Sequence, residues 1–333
     1  MTRRMSLAVG LCFTLSLVAQ SSAALTLKIA TISPDGTTWM NEMRKGAREI
    51  EQRTSNRVRL RFYPGGVMGS DKNVLRKIRI GQLQGGAVTG GGLEQIYFDS
   101  QIYSVPFAFR SEDEVDYVRA RMDRQIADGL LARGFVSFGI AEGGFAYLMS
   151  NAPIRDVEDL KGHKVWVPEG DRLSRAVFDA AHISPVSLPL PDVLTGLQTG
   201  LIDTIGSSPI GAIALQWHTR VKYVTDTPLM YLYGILIVDR KAFDKIDPAD
   251  QAAVREVMGA VFKRLDGINR EENHQAREAL RGQGIEFIAP APGSEQRWNE
   301  IADQALDHGR DDLFTPAVLT ALHRYLDEYR SRH

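Results

Sequence analysis

The apolar positions of this chain fall into two alternating rhythms. Leu27–Thr31 is a short β-like run that passes through the turn-rich Ser33-Pro34-Asp35-Gly36. A segment follows in which Trp39, Met40, Met43, Ala47 and Ile50 recur at helical spacing. In Arg57–Tyr63, Val58, Leu60 and Phe62 alternate with arginines, which predicts a strand. Pro64-Gly65-Gly66 then turns the chain into a basic helix carrying Val74, Leu75, Ile78 and Ile80, stopped at Gly81. A strand of small residues, Leu83 to Thr89, completes the unit.

The same order recurs downstream. Lys164–Val167 reads as a strand, Pro168-Glu169-Gly170 as a turn, and Leu173, Val177 and Ala181 as one face of a helix. Pro185–Leu188 is a second strand, and Pro189-Leu190-Pro191 opens a helix with Val193, Leu194 and Leu197. Gly200 stops it, and Leu201–Ile205 is the last strand. Ile80-Gly81-Gln82-Leu83-Gln84 corresponds to Thr199-Gly200-Leu201-Ile202-Asp203. Two β-α-β-α-β units predict an α/β protein with parallel strands and two similar lobes around a cleft.

Outside the units, Gly134–Ser150 is expected to cross from the first lobe to the second, and Thr225–Arg240 to return as strands. Asp247-Pro248 is an N-cap and first-turn proline for a long helix through Val254, Val257, Val261 and Leu265. A last helical stretch runs from about Ser294 to the end, interrupted at Phe314-Thr315-Pro316. The expected organisation is residues 25–145 for the first lobe and 146–224 for the second. Residues 225–260 are shared between the lobes, and 248–333 form bridging and C-terminal helices.

At 333 residues the length suits two domains, and 40 Lys+Arg against 41 Asp+Glu is too balanced for a protein built to grip nucleic acid. Arg3 and Arg4 precede an apolar run, Leu7 to Ala19, and then Gln20-Ser21-Ser22-Ala23-Ala24. This is the pattern of an export signal cleaved near Ala23 or Ala24 (residues 1–24), which implies a periplasmic protein. The single Cys12 lies within that signal, so no disulfide framework is expected.

Catalytic and cofactor motifs are missing. The seven histidines are scattered, and there is no H-E-x-x-H, G-x-S-x-G or phosphate-binding loop. No metal or cofactor is expected. Gly90-Gly91-Gly92 after a strand fits close backbone approach to a ligand or to the opposing lobe. Ser111 and Glu114 have capping-box spacing at a helix start. A periplasmic enzyme on this scaffold would have to use His163, Glu169 and Asp171, the one local titratable group near Trp166.

Several phrases resemble the DctP-type solute-binding proteins of tripartite ATP-independent periplasmic (TRAP) transporters. They are Phe62-Tyr63-Pro64-Gly65-Gly66, Val105-Pro106-Phe107-Ala108-Phe109-Arg110, Asp159-Leu160-Lys161-Gly162 through Val165-Trp166-Val167-Pro168, and Leu197-Gln198-Thr199-Gly200-Leu201-Ile202-Asp203. The resemblance covers nearly the whole chain after the signal. It implies the two-lobed periplasmic binding-protein fold, a long helix bridging the lobes, closure around one solute, and delivery to a membrane permease driven by an ion gradient.

This sequence departs from that family at the ligand. The resemblance implies an arginine before the Val-Pro of the 165–168 phrase and another after Gly144-Phe145; here Trp166 and Ala146 stand there. An ionised carboxylate taken out of water without a partner costs several kcal/mol. An indole offers apolar area instead, and a ligand burying about 300 Å² gains roughly 7 kcal/mol before the costs of binding. The expected ligand is therefore largely hydrophobic or neutral, with room for one polar end. Trp166, Phe145, Ala146 and Tyr147 are expected to face it, with Trp39 and Trp217 as further aromatic candidates. Ser33, Thr37, Thr89, Gly90, Gly91, Gly92, Ser207 and Ser208 are expected to supply small polar groups. The alternative is a mono- or dicarboxylic acid held by Arg172 or Arg175, or by helix N-termini. An apolar solute also leaves room for a further periplasmic partner.

Overall fold

Each rhythm in the sequence becomes one layer of a two-lobed α/β fold. The computed structural model describes residues 24–333, with the side chains of 308–312 outside the description. The expected export signal, with Cys12 and Ala23, lies outside the described residues except for Ala24.

The first unit folds as β1 (Leu25–Thr31), α1 (Thr38–Arg53), β2 (Val58–Tyr63), α2 (Asp71–Arg79) and β3 (Gly85–Thr89). β1 lies between β2 and β3, parallel to both. Thr37 caps α1 by accepting the Met40 N–H, and Met40, Met43, Ala47 and Ile50 form the buried face of that helix. Two 3₁₀ turns (91–93 and 98–104) lead to α3 (Glu112–Ala132), where Ser111 accepts the Glu114 N–H as its spacing predicts.

β4 (Phe135–Ser150) is the crossing strand, 16 residues long. Its first part pairs with β9 in the first lobe, and its last residues pair with β7 and β8 in the second. The strand therefore belongs to both lobes, and position 145 falls inside it. Its register shifts at Glu142/Gly144, where Gly144 has φ +83°; a Cβ there would sit 2.5 Å from the Asn273 amide nitrogen. Only glycine allows that approach of the bridging helix.

The second unit is β5 (Trp166–Pro168), α4 (Arg172–Ala180), β6 (Val186–Leu188), α5 (Val193–Thr199) and β7 (Thr204–Ser207). β5 pairs in parallel with β6, and Val165 bridges in parallel to Thr204, so the unit repeats the first as expected. α6 (Pro209–Ala214), β8 (Tyr223–Thr225), β9 (Met230–Asp239) and the short α7 (Arg240–Phe243) return the chain. The main sheet runs β10-β8-β4-β9-β3-β1-β2, with β7 also on β4.

α8 (Pro248–Gly282) is 35 residues, about 52 Å at 1.5 Å per residue. It packs on α1 in the first lobe, on β4 at the crossing, and on α6 in the second. β10 (Glu286–Ile288) joins β8; α9 (Ser294–Leu313) then packs on α4, and α10 (Pro316–Arg330) on α3. Each lobe has two apolar cores. Leu27, Ile50, Leu236 and Val257 exemplify one in the first lobe, and Trp166, Ile202, Trp217 and Val224 one in the second.

A buried ion network ties α3, β4 and α8 together at the crossing. The Glu142 side chain is 1% exposed and lies 3.1 Å from the Arg119 guanidinium, with Arg270 on its other side. Arg119 also meets Asp123 and Asp266, each at 3.2 Å. Burial pushes the Asp266 carboxyl up to about 6, against the pull of Arg119.

Candidate functional site

The carboxyl ends of β1, β3, β5 and β7 converge on a cavity of about 370 Å³ between the lobes, the place where α/β folds present ligand-binding loops. Ser33, Thr37, Thr38 and Trp39 line it from the β1–α1 turn, and Thr89, Gly90 and Gly91 from the end of β3. The second lobe contributes Trp166, Ser207, Ser208 and Trp217. Glu142, Ala146 and Leu148 come from the crossing strand, and Asn269 and Glu272 from α8.

Trp166 is 6% exposed; its indole N–H donates to the Leu188 carbonyl at 3.0 Å. Its ring meets Trp217 edge-to-face at 5.4 Å, so the pair turns carbon surface to the cavity. Two expected residues do not face it. Successive side chains of a strand point to opposite sides, and on β4 Ala146 and Leu148 take the inward side. Phe145 instead packs on Tyr231 at 5.4 Å in the first-lobe core. Tyr147 lies 5.0 Å under the Arg277 guanidinium. Gly92 also falls outside: it borders a smaller cleft at the rim, and a Cβ there would be 2.1 Å from an Asp71 oxygen. The glycine run thus makes room for side chains of its own lobe, Asp71 at Gly92 and Tyr233 at Gly90.

Among the described residues no arginine, lysine or histidine lines the cavity; its charged side chains are Glu142, Asp171 and Glu272. The two alternative arginines are directed elsewhere. Arg172 pairs with Glu94 at 3.2 Å, and Arg175 is exposed.

The N-termini of α4 and α6 are engaged by the protein itself, whereas at α1 Thr37 caps the Met40 N–H alone and the first-turn N–H groups of Thr38 and Trp39 have no partner among the described residues. The Arg172 N–H donates to Glu94 and the Ser174 N–H to Asp171, which caps α4. At α6 the Ile210 N–H donates to Asn273 and the Gly211 N–H to Ser208. Both the N–H and the hydroxyl of Thr89 donate to Asp71, and the Gly92 N–H donates back to Thr89. Burial pushes the carboxyls of Asp71 and Glu94 up.

Hydroxyl hydrogens follow the same pattern. Thr37 donates to the Pro34 carbonyl, so Ser33, 2.9 Å from it, is the donor of that pair. Thr38 donates to Glu272, Ser104 to Tyr231, Ser174 to Asp171, Ser207 to the Ser208 carbonyl and Tyr233 to the Ser100 carbonyl. The wall therefore shows lone pairs and carbon far more than free donors.

His163, Glu169 and Asp171 are not brought together. His163 is 3.2 Å from Asp203 outside the cavity, Glu169 faces Lys72 at the rim, and Asp171 alone lines the cavity. Sequence reasoning missed Thr38, Glu142, Tyr233, Asn269 and Glu272. One signal for the last two was present: the apolar stripe of α8 through Val254, Val261 and Leu265 turns polar at Asn269, Glu272 and Asn273, where the helix crosses the cleft.

Known proteins share this architecture. The profile of the family described as bacterial extracellular solute-binding protein, family 7 (DctP) matches residues 29–311. The uncharacterized protein YiiZ of Salmonella typhimurium is 24% identical over 218 residues, 64% of this chain and 65% of that protein. The C4-dicarboxylate-binding periplasmic protein DctP of Rhodobacter capsulatus is 23% identical over 77% of this chain and 79% of its own length. A TRAP periplasmic solute-binding protein from Xanthobacter autotrophicus Py2, solved with bound β-D-galacturonate, superposes with a TM-score of 0.83 at 19% identity. That likeness covers 90% of this chain and 99% of the other, and it establishes the two-lobed fold.

Proposed function

Because the chain belongs to family 7 of the bacterial extracellular solute-binding proteins, the DctP family, we propose that its cavity captures a largely apolar, non-anionic organic solute in the periplasm. The family works as the solute-binding subunit of TRAP transporters, so the role is transport rather than catalysis. Closure of the lobes would then present the solute to a membrane permease for ion-gradient-driven import, and a poorly water-soluble cargo would favour hand-over through a further periplasmic partner.

The observation that carries this reading is the lining itself. Trp166 and Ala146 occupy the wall where the resemblance implies arginines, and no other cation takes their place among the described residues. A carboxylate closed into this cavity would lose its water and find acceptors and three carboxylates around it.

The second reading, a mono- or dicarboxylic acid, is favoured by the relatives, one named for C4-dicarboxylates and one holding galacturonate. On that reading the acid would rely on donors such as the Ser208 hydroxyl and the first-turn N–H groups of Thr38 and Trp39 in α1.

A thermal-shift panel on the purified protein separates the two. Neutral terpenoids and aromatic alcohols are expected to raise Tm by several degrees; saturation at 100-fold over Kd adds about 2.7 kcal/mol. Succinate and galacturonate are expected to leave it unchanged. Stabilisation by the acids alone would overturn the ligand assignment.

A further inference from the structure

We infer that the polar end of this solute is a protonated amine, seated against Glu272. The inference rests on the reading of the cavity as a solute site for non-anionic ligands and narrows it to organic ammonium compounds with an apolar body.

Glu272 lines the cavity from α8, half-buried opposite the β1–α1 turn. One carboxylate oxygen accepts the Thr38 hydroxyl, and the other has no partner among the described residues. Nor does Glu272 share in any ion pair among the described residues, whereas Glu142, the other glutamate of the lining, lies between Arg119 and Arg270. A carboxylate left unpaired in a cleft between closing lobes favours a cationic partner, because closure removes the water that solvates it.

The neighbouring side-chain hydroxyls are acceptors. Ser33 donates its hydrogen to Thr37, and Thr38 donates its own to Glu272, so what both turn to the cavity are lone pairs. An ammonium has three hydrogens and no lone pair, the complement of this set. Trp39 stands beside them in the wall, an aromatic ring next to the same charge. No cation in the lining opposes it, and the remaining surface (Ala146, Leu148, Trp166, Trp217) suits an apolar body.

A matched series on the full chain tests this: 2-phenylethylamine, 2-phenylethanol and phenylacetate, titrated calorimetrically against the wild type and Glu272→Gln. The amine is expected to bind at least about tenfold tighter than the alcohol, the worth of one charge-assisted hydrogen bond. Glu272→Gln keeps an acceptor for Thr38 and the side-chain shape. It is expected to remove that advantage, weakening the amine by far more than the alcohol, while leaving the Tm of the free protein unchanged. Equal binding of amine and alcohol, no amine binding at millimolar concentration, or an amine affinity insensitive to Glu272→Gln would each overturn the ammonium assignment. Binding of the alcohol would still support a non-anionic ligand, whereas binding of phenylacetate alone would overturn both readings.

Discussion

Replacing Ala146 with arginine is expected to invert the ligand preference of the cavity. Ala146 is 1% exposed, sits on the crossing strand opposite Met230, and faces the cavity beside Glu142 and Leu148. A guanidinium at this point would stand in the wall as a fixed cation with a two-pronged donor edge suited to carboxylates. Two effects act on the wild-type ligand. The longer side chain takes up volume in a cavity of about 370 Å³, and its charge repels an ammonium or forces an apolar body against an ionised group. Together these should weaken neutral and cationic ligands by about a hundredfold or more, roughly 3 kcal/mol. Succinate-like acids, expected to leave the wild type unaffected, should begin to raise Tm. Ala146→Met is the control, since it fills similar space without charge. It should lose the native ligands and gain no acids. Acid binding of the same strength in the wild type and Ala146→Arg would show that this wall does not contact the solute.

The second large effect concerns stability. Arg119→Met removes one of the two cations that hold the buried Glu142, together with partners of Asp123, Asp266 and the Ile140 carbonyl. Removing one partner from a buried pair costs about 3–5 kcal/mol, because the other charge stays buried. For a chain of this size that is a fall in Tm of roughly 4–8 °C.

Its pH dependence has a definite sign. The native Asp266 carboxyl, at about 6, lies above its value in an unfolded chain, so the native state holds that proton more tightly. The contribution is fully favourable below about pH 4 and is lost as pH rises toward 6. Arg119 pulls this carboxyl down, so its removal raises Asp266 further and extends the loss toward neutral pH. Denaturant unfolding of the variant should therefore show a smaller deficit at pH 5 than at pH 7.5. A deficit below about 1 kcal/mol, or one equal at both pH values, would mean the network is not closed as described.

Much of the scaffold is legible in the sequence because it follows from local periodicity. The alternation in Val58–Phe62, the helical spacing from Trp39 to Ile50 and the Asp247-Pro248 start each produce the expected element. Ser33, Thr37 and Ser207 reach the cavity because they sit at or past the carboxyl ends of strands, which the turn residues mark.

The register of β4 is not legible. Phe145-Ala146-Tyr147-Leu148 is apolar at every position, so alternation gives no inward side, and only pairing with β9 and β7 puts the alanine inward and the aromatics in the cores. Engagement of the donors is likewise a product of tertiary structure. Glu94 meets Arg172 across 78 positions and Thr38 meets Glu272 across 234, contacts that no local pattern encodes.

The most direct test is mass spectrometry of small molecules released from the protein after gentle purification from the cells that make it. A bound, largely apolar compound with no acid group, and with an amine at its polar end, is the predicted result. A mono- or dicarboxylic acid recovered in stoichiometric amount, and exchangeable for succinate or galacturonate, would contradict it.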